Sequence, residues 1–275
     1  MADLKYLEEE WEREGRFGSR QERMKRAGKW EPYYTWLAER QKHISFDPEE
    51  DPTGFISLMR EETILRPQDL VLDIGAGTGE YGLRMAGKCK AVTALEYCPA
   101  CIDVMKQRAK KAGIDNVSFR LCAWEEFGET EQFDFVFTSM CPVICNVEEV
   151  KRMERLSKRQ CGIVTVLPGS VDSHRRAMMQ ELDIHPAGMM TNGNRYEAVL
   201  KAMGRKPEMY LKSYTSESRM REEEFLERYT CYFGIFGFSG ESLQRYLQRY
   251  FETHAKDGVL REESHMNMVL LSWNV

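Results

Sequence analysis

Residues 70–79 run Leu-Val-Leu-Asp-Ile-Gly-Ala-Gly-Thr-Gly, an apolar segment that passes directly into alternating glycines. Its Leu and Val content is that of a parallel strand covered on both faces, and such a strand needs a long crossover, usually a helix, to reach its neighbour. A chain carrying it is committed to an α/β architecture. Glycines at the end of the strand permit positive φ and let backbone approach a ligand closely, as nucleotide-binding turns require. One acid, Asp73, stands two positions before the first glycine. The stretch from Gly77 to Gly82 also spells the G-x-G-x-x-G fingerprint of a dinucleotide site. Asp73 argues against that ligand, because a pyrophosphate at a helix N-terminus wants amide donors and is repelled by a carboxylate. The register fails as well, since Gly75 and Ala76 separate the strand from Gly77. A cationic ligand suits the acid.

S-adenosylmethionine carries a sulfonium and an α-ammonium, and a carboxylate beside a glycine turn holds an ammonium by a charge-assisted hydrogen bond. The string resembles the first motif of the class I S-adenosylmethionine-dependent methyltransferases: an acid, any residue, then three alternating glycines, matched by Asp73, Gly75, Gly77 and Gly79. A short second strand over 90–95 ends at Glu96, where an acid accepts hydrogen bonds from ribose hydroxyls, in NAD sites as in others. Glu96 thus points to a nucleoside without choosing the cofactor. The resemblance implies a doubly wound, mostly parallel seven-stranded sheet with an antiparallel last strand, and S-adenosylmethionine as cofactor. It also implies cofactor contacts from Asp73, Gly75, Gly77, Gly79, Glu96, Tyr97, Ala123, Trp124 and Ser139. Family members commonly carry an acid where Ala123 stands, so the usual partner of the adenine amino group is missing here, while Trp124 is placed to pack on the base.

Along the chain, strands are expected near 70–75, 91–96, 117–122, 133–138 and 161–167, with helices near 79–87, 99–113 and 146–158. That alternation is the pattern of right-handed crossovers in a parallel sheet. Further on, a helix is expected through Met178 and Met179, then a loop rich in Gly, Pro and Asn over 185–194, a short helix near 194–204 and a sixth strand over Glu208–Tyr214. The chain closes on a strand-like Met266–Trp273. Residues 1–62 are expected to form an N-terminal helical cap anchored by Trp11, Phe17, Met24, Trp30, Tyr34 and Trp36. An acidic, proline-broken connection at 46–53 leads out of it. Residues 63–215 plus 266–275 would make the nucleoside-binding domain, and 216–265 a helical insert near the acceptor site, with helical patterns at 219–232 and 240–256.

The net charge is −5, so nothing attracts nucleic acid or an anionic membrane globally. Basic runs at Lys106–Lys111 and Lys151–Arg159 fall in helical patterns and read as solvated faces. With no apolar signal core at the N-terminus and no run of membrane-spanning length, a cytoplasmic protein is expected. Its eight cysteines then read as reduced thiols. Cys98 and Cys101 form a Cys-x-x-Cys after the second strand, Cys122 ends the third, and Cys141 and Cys145 follow the fourth. These points share the carboxyl edge of a doubly wound sheet, but no zinc pattern is complete and no metal site is expected.

The expected activity is methyl transfer to a small-molecule acceptor. A cofactor-binding protein without transfer activity, an RNA or metalloid methyltransferase and a nicotinamide oxidoreductase are the alternatives. Because an activated methyl carbon carries most of the chemistry, no obligatory catalytic residue is named by the sequence. His174, after the fifth strand, and Cys141, after the fourth, are the weak candidates.

Overall fold

The computed structural model describes residues 3–15, 20–184 and 192–275. Phe17, the side chain of Met24 and most of the loop expected over 185–194 lie outside the described residues. Two helices come first, α1 (Leu4–Gly15) and α2 (Arg20–Gln41), then a short α3 (Phe55–Glu61). The alternating part follows: β1 (Leu70–Ile74), α4 (Gly82–Ala86), β2 (Ala91–Glu96), α5 (Pro99–Ala112), β3 (Val117–Leu121), β4 (Phe133–Ser139), α6 (Val147–Leu156) and β5 (Ser157–Val166). After it come a two-residue β6 (Val171–Asp172), α7 (Ser173–Glu181), α8 (Gly193–Ala202), β7 (Glu208–Arg221), α9 (Glu222–Gly234), α10 (Gly240–His254) and β8 (Val259–Asn274).

Strands β3, β2, β1, β4 and β5 lie side by side in that order, all parallel; β8 runs antiparallel beside β5, and β7 covers its other edge. This is the expected seven-stranded sheet, to which β6 adds a short pairing with β8. Because β1 pairs with both β2 and β4, the strand order reverses there, and the crevice at their carboxyl ends is where ligands bind in open α/β sheets.

The period of two along the strands sorts the core into two layers. Val71, Phe135, Phe137, Val164 and Leu270 pack under Phe55 and Met59 of α3 and Met85 of α4. Leu72, Ile74, Val136, Ile163 and Leu271 face α6 and α8. The two N-terminal helices part company: Trp11 of α1 meets Tyr196 of α8 edge-on at 5.6 Å, whereas α2 packs on α5 and α9.

The segment between Tyr214 and Met266 is not helical throughout. β7 and β8 stay paired from Glu208↔Ser272 to Arg221↔Val259, so the ribbon projects beyond the sheet and only Glu222–Gly234 and Gly240–His254 are helices. The continuous antiparallel partner satisfies the backbone as strand, burial alternates from Glu217 to Met220, and the helix expected from 219 starts at 222 instead. The projecting part has its own core of Phe225, Tyr229, Phe233, Leu243, Leu247 and Leu260, joined by Met178 and Met179 of α7. Buried Glu262 is satisfied within it, accepting from Tyr229 Oη at 2.8 Å and pairing with Arg228 at 3.1 Å.

Candidate cofactor site

Where β1 ends, the chain needs three residues with positive φ, and each is glycine: Gly75 (68°), Gly77 (56°) and Gly79 (91°). They serve different ends. A Cβ on Gly75 would run into the sulfur of Cys141, so that glycine lets the β4 loop close over the turn. Gly77 has open space where a Cβ would stand, and its amide donates to Glu96 Oε2 at 2.9 Å. Gly79 does not border the cavity described below; its missing Cβ makes room for Leu83 and Met105, so the third glycine of the motif is a packing residue. Gly82 is needed too, because a side chain there would overlap the carboxylate of Asp73.

Asp73 is 2% exposed, and its Oδ2 has no hydrogen-bond partner. Burial first, and then the charge of Glu96, push its carboxyl up to about 7, with the Gly82 amide opposing. Glu96 ends β2 and is likewise buried, accepting from the amides of Gly77, Tyr97 and Cys98 at 2.8–2.9 Å. Burial raises its pKa against the pull of those three amides. Two carboxylates therefore share one dry strand edge, and what acts on Asp73 is desolvation, a like charge and a single amide.

Both acids open into a cavity of about 340 Å³. Its floor is the turn from Asp73 to Thr78 with Leu95, Glu96 and Tyr97; one wall is Cys122 to Glu125, another Ser139 to Val143. The roof is α2, whose Trp30, Tyr34, Leu37 and Gln41 face inward. Trp30 stacks on Tyr34 at 5.7 Å, and Tyr34 meets Tyr97 edge-on at 6.2 Å, which ties roof to floor. Arg108 of α5 locks the same closure from outside, donating to Thr78 and Glu80 of the turn and to the Gln41 carbonyl of α2.

Trp124 is held rigidly, its indole N–H donating to Glu149 at 2.6 Å and its ring lying 3.9 Å from the Arg152 guanidinium. Opposite, Thr138 Oγ1 donates to the Ile74 carbonyl at 2.9 Å and clamps β4 to β1 at the switch point. Met140 then takes a left-handed conformation (φ 49°), uncommon for a side chain of its kind, and turns Cys141 under Gly75.

Of the residues expected from the sequence, Asp73, Gly75, Gly77, Glu96, Tyr97, Ala123, Trp124, Ser139 and Cys141 border this one cavity. His174 does not: its ring nitrogens sit 3.0 Å from Tyr250 Oη and 3.1 Å from the Arg261 carbonyl, within the projecting lobe. Cys141 does line the cavity, but burial pushes its thiol up to about 12, which denies it thiolate character at neutral pH. The roof residues Leu37 and Gln41 and the floor residue Tyr81 were not anticipated, although Trp30, Tyr34, Leu37 and Gln41 follow the spacing of a single helix face. Among the described residues no three His, Cys, Asp or Glu side chains group as a metal site, and no helix is long and apolar enough to cross a membrane.

Residues 65–225 match the sequence model of a methyltransferase domain. Among curated proteins, a stretch of 62 residues is 34% identical to the probable ribosomal RNA small subunit methyltransferase A of Methanosphaera stadtmanae, covering 22% of this chain and 23% of that protein. A stretch of 52 residues is 38% identical to the probable cobalt-precorrin-6B C(15)-methyltransferase of Methanocaldococcus jannaschii, covering 19% of this chain and 28% of that one. The chain thus spans about a quarter of the length of these relatives. In fold it is similar to the S-adenosylmethionine-dependent methyltransferase of Thiobacillus denitrificans solved with S-adenosylhomocysteine (TM-score 0.51, 11% identity, 87% of this chain and 96% of that one). It is also similar to the YcgJ protein of Bacillus subtilis (TM-score 0.50, 14% identity, 80% and 97%).

Proposed function

The chain belongs to the methyltransferase-domain family, and from that premise we propose that it moves a methyl group from S-adenosylmethionine to a small acceptor needing no general base from the protein. The observation that carries the cofactor is the unpartnered, buried oxygen of Asp73 beside a second buried carboxylate. An ammonium and a sulfonium supply the opposite charge this edge lacks. Asp73 takes the ammonium. Glu96, fixed by its three amides, keeps lone pairs for ribose hydroxyls, and the bare side of Gly77 lets the ligand lie against backbone. Ala123 and Trp124 border the adenine, and Ser139 the methionine end. Bound there, the cofactor supplies a methyl carbon already activated by its sulfonium, and the residues align the acceptor and exclude water.

The acceptor side follows from what the cavity lacks. Its lining has no histidine, its carboxylates Asp73 and Glu96 are engaged by the cofactor, and the thiols of Cys101 and Cys141 are held protonated by their surroundings. Glu80 is tied to Arg84 and Arg108 at 2.7 Å each. A hydroxyl acceptor would need a base near neutrality, whereas an amine or thiol sheds its proton to water. The rings of Trp30, Tyr34 and Tyr97 favour a small, largely apolar acceptor. Ribosomal RNA, the substrate named for one relative, is the second reading. Against it stand the net charge and the acidic first turn of α9, Glu222–Glu224, which packs beside the roof. A cytoplasmic setting suits eight free thiols.

With methyl-labelled S-adenosylmethionine and a panel of small amines and thiols, label should enter the small-molecule fraction. Transfer only to ribosomal RNA or to protein would overturn the small acceptor. The roof helix acts as a lid in this account, so protease cleavage of the connection near Asp47–Asp51 should slow roughly tenfold with S-adenosylhomocysteine bound, as closed molecules are drawn off the open state. Equal rates would make α2 a fixed wall.

A further inference from the structure

The Cys-x-x-Cys after β2 is not used by the cofactor contacts, yet it is the most unusual chemistry in the chain. Cys98 is the N-cap of α5, Pro99 follows, and Cys101 lies one turn on. Both are free thiols, 0% and 3% exposed, and they share a small cluster with Ala38 of α2 and Val104 of α5. Cys101 also lines the cofactor cavity. Each sulfur touches the roof helix: Cys98 Sγ is 3.8 Å from Thr35 Oγ1, and Cys101 Sγ lies 3.7 Å from the Tyr34 carbonyl oxygen.

The two sulfurs are unequal. The hydrogen bond from Cys101 above all brings the Cys98 thiol down to about 6, while the same bond and burial push Cys101 upward. The pair is polarised, the negative charge favoured on Cys98 and disfavoured on Cys101, which is the arrangement of an attacking and a resolving cysteine. A Cys-x-x-Cys whose first cysteine caps a helix is the spacing that redox-active pairs use to close a disulfide.

We propose that Cys98 and Cys101 form a redox modification site that closes to a disulfide under peroxide and releases α2 from the cofactor cavity. Peroxide would reach the pair from the cavity side, which Cys101 lines and from which Cys98 is shielded until α2 opens. The Cys98 thiolate attacks one oxygen of hydrogen peroxide, the O–O bond breaks, and the departing hydroxide takes a proton to leave as water, giving Cys98 sulfenic acid. The Cys101 sulfur then attacks Cys98, the S–O bond breaks, and the hydroxyl leaves with the Cys101 proton as a second water. Two thiols lose two electrons and the peroxide gains them. The disulfide removes the thiolate beside Thr35 and the thiol beside the Tyr34 carbonyl, which weakens the seat of α2 on α5 and shifts the lid toward open.

The experiment needs no methyl transfer, so its failure and that of the cofactor assignment are separable. The full chain at pH 7 is treated with hydrogen peroxide, digested without reduction and mapped by mass, while amide exchange is followed across residues 30–41. The expected result is a Cys98–Cys101 disulfide, two hydrogens lighter, formed ahead of oxidation at Cys89, Cys122 or Cys141. Exchange in α2 should quicken roughly tenfold and recover with dithiothreitol. In Cys101→Ser the sulfenic acid should instead persist at Cys98 and be trapped by dimedone. Uniform oxidation of all the cysteines, absence of the disulfide, or a disulfide that leaves α2 exchange unchanged would each overturn the proposal, and all three are read on the unmutated protein.

Discussion

Asp73→Asn is expected to weaken S-adenosylmethionine binding by at least tenfold, about 1.5 kcal/mol, while making the free protein more stable at pH 8. The two effects have one cause. The folded carboxyl is raised from 3.8 to about 7, so its contribution to stability is intact below its unfolded pKa and is lost as pH rises through 7. At pH 8 the free protein carries a buried charge that only the Gly82 amide offsets, and neutral Asn removes it without changing the shape. A gain of about 2 kcal/mol is expected at pH 8, smaller at pH 5 and gone only below about pH 4, where the unfolded carboxyl is protonated as well. Thermal unfolding at the two pH values, with and without cofactor, measures both halves. A variant that binds normally, or that loses stability at pH 8, would show that Asp73 already has its counter-charge within the protein.

Glu96→Ala should lower both affinity and stability, unlike the substitution at Asp73. Its carboxylate accepts from the amides of Gly77, Tyr97 and Cys98, and truncation leaves these donors beside a cavity without an acceptor. Loss of about 2 to 3 kcal/mol in denaturant unfolding is expected, along with a more than tenfold fall in cofactor affinity as the ribose loses its acceptor. Glu96→Gln keeps one carbonyl oxygen and should fall between. Unchanged affinity in a folded Ala variant would place the ribose elsewhere.

These two acids were legible because strand ends are local events. An apolar run of five or six residues followed by glycines specifies where the backbone turns, and an acid at that point is exposed to whatever the turn binds. The parallel strands followed from the same alternation, and the antiparallel last strand from the resemblance. Gly79 shows the limit of the spelling: the motif groups three glycines, but only contact with Leu83 and Met105 reveals that the third serves packing. The roof was harder to foresee. Trp30, Tyr34, Leu37 and Gln41 lie on one helical face, but nothing local distinguishes a face that covers a cavity from one that covers another helix, and α2 does both. The length of β7 depended on pairing with β8 across some 50 residues of chain, a long-range hydrogen-bond pattern that outweighs the helical periodicity after 219. His174 followed the fifth strand as a site residue would, yet β6 and the projecting lobe carry it away from the cavity toward Tyr250.

The central claim is that a buried pair of carboxylates awaits a cationic nucleoside, and calorimetric titration tests it most directly. S-adenosylmethionine, S-adenosylhomocysteine and NAD would each be titrated at several pH values, in buffers of different ionisation heat. Both sulfur nucleosides should bind, one per chain, and NAD should give no heat. Near pH 7, where Asp73 is about half protonated in the free protein, binding should release roughly half a proton, and affinity should fall by up to tenfold per unit as pH drops below 7. Tight NAD binding with no response to the sulfur nucleosides, or binding of S-adenosylmethionine that releases no proton and ignores pH between 5 and 7, would contradict it.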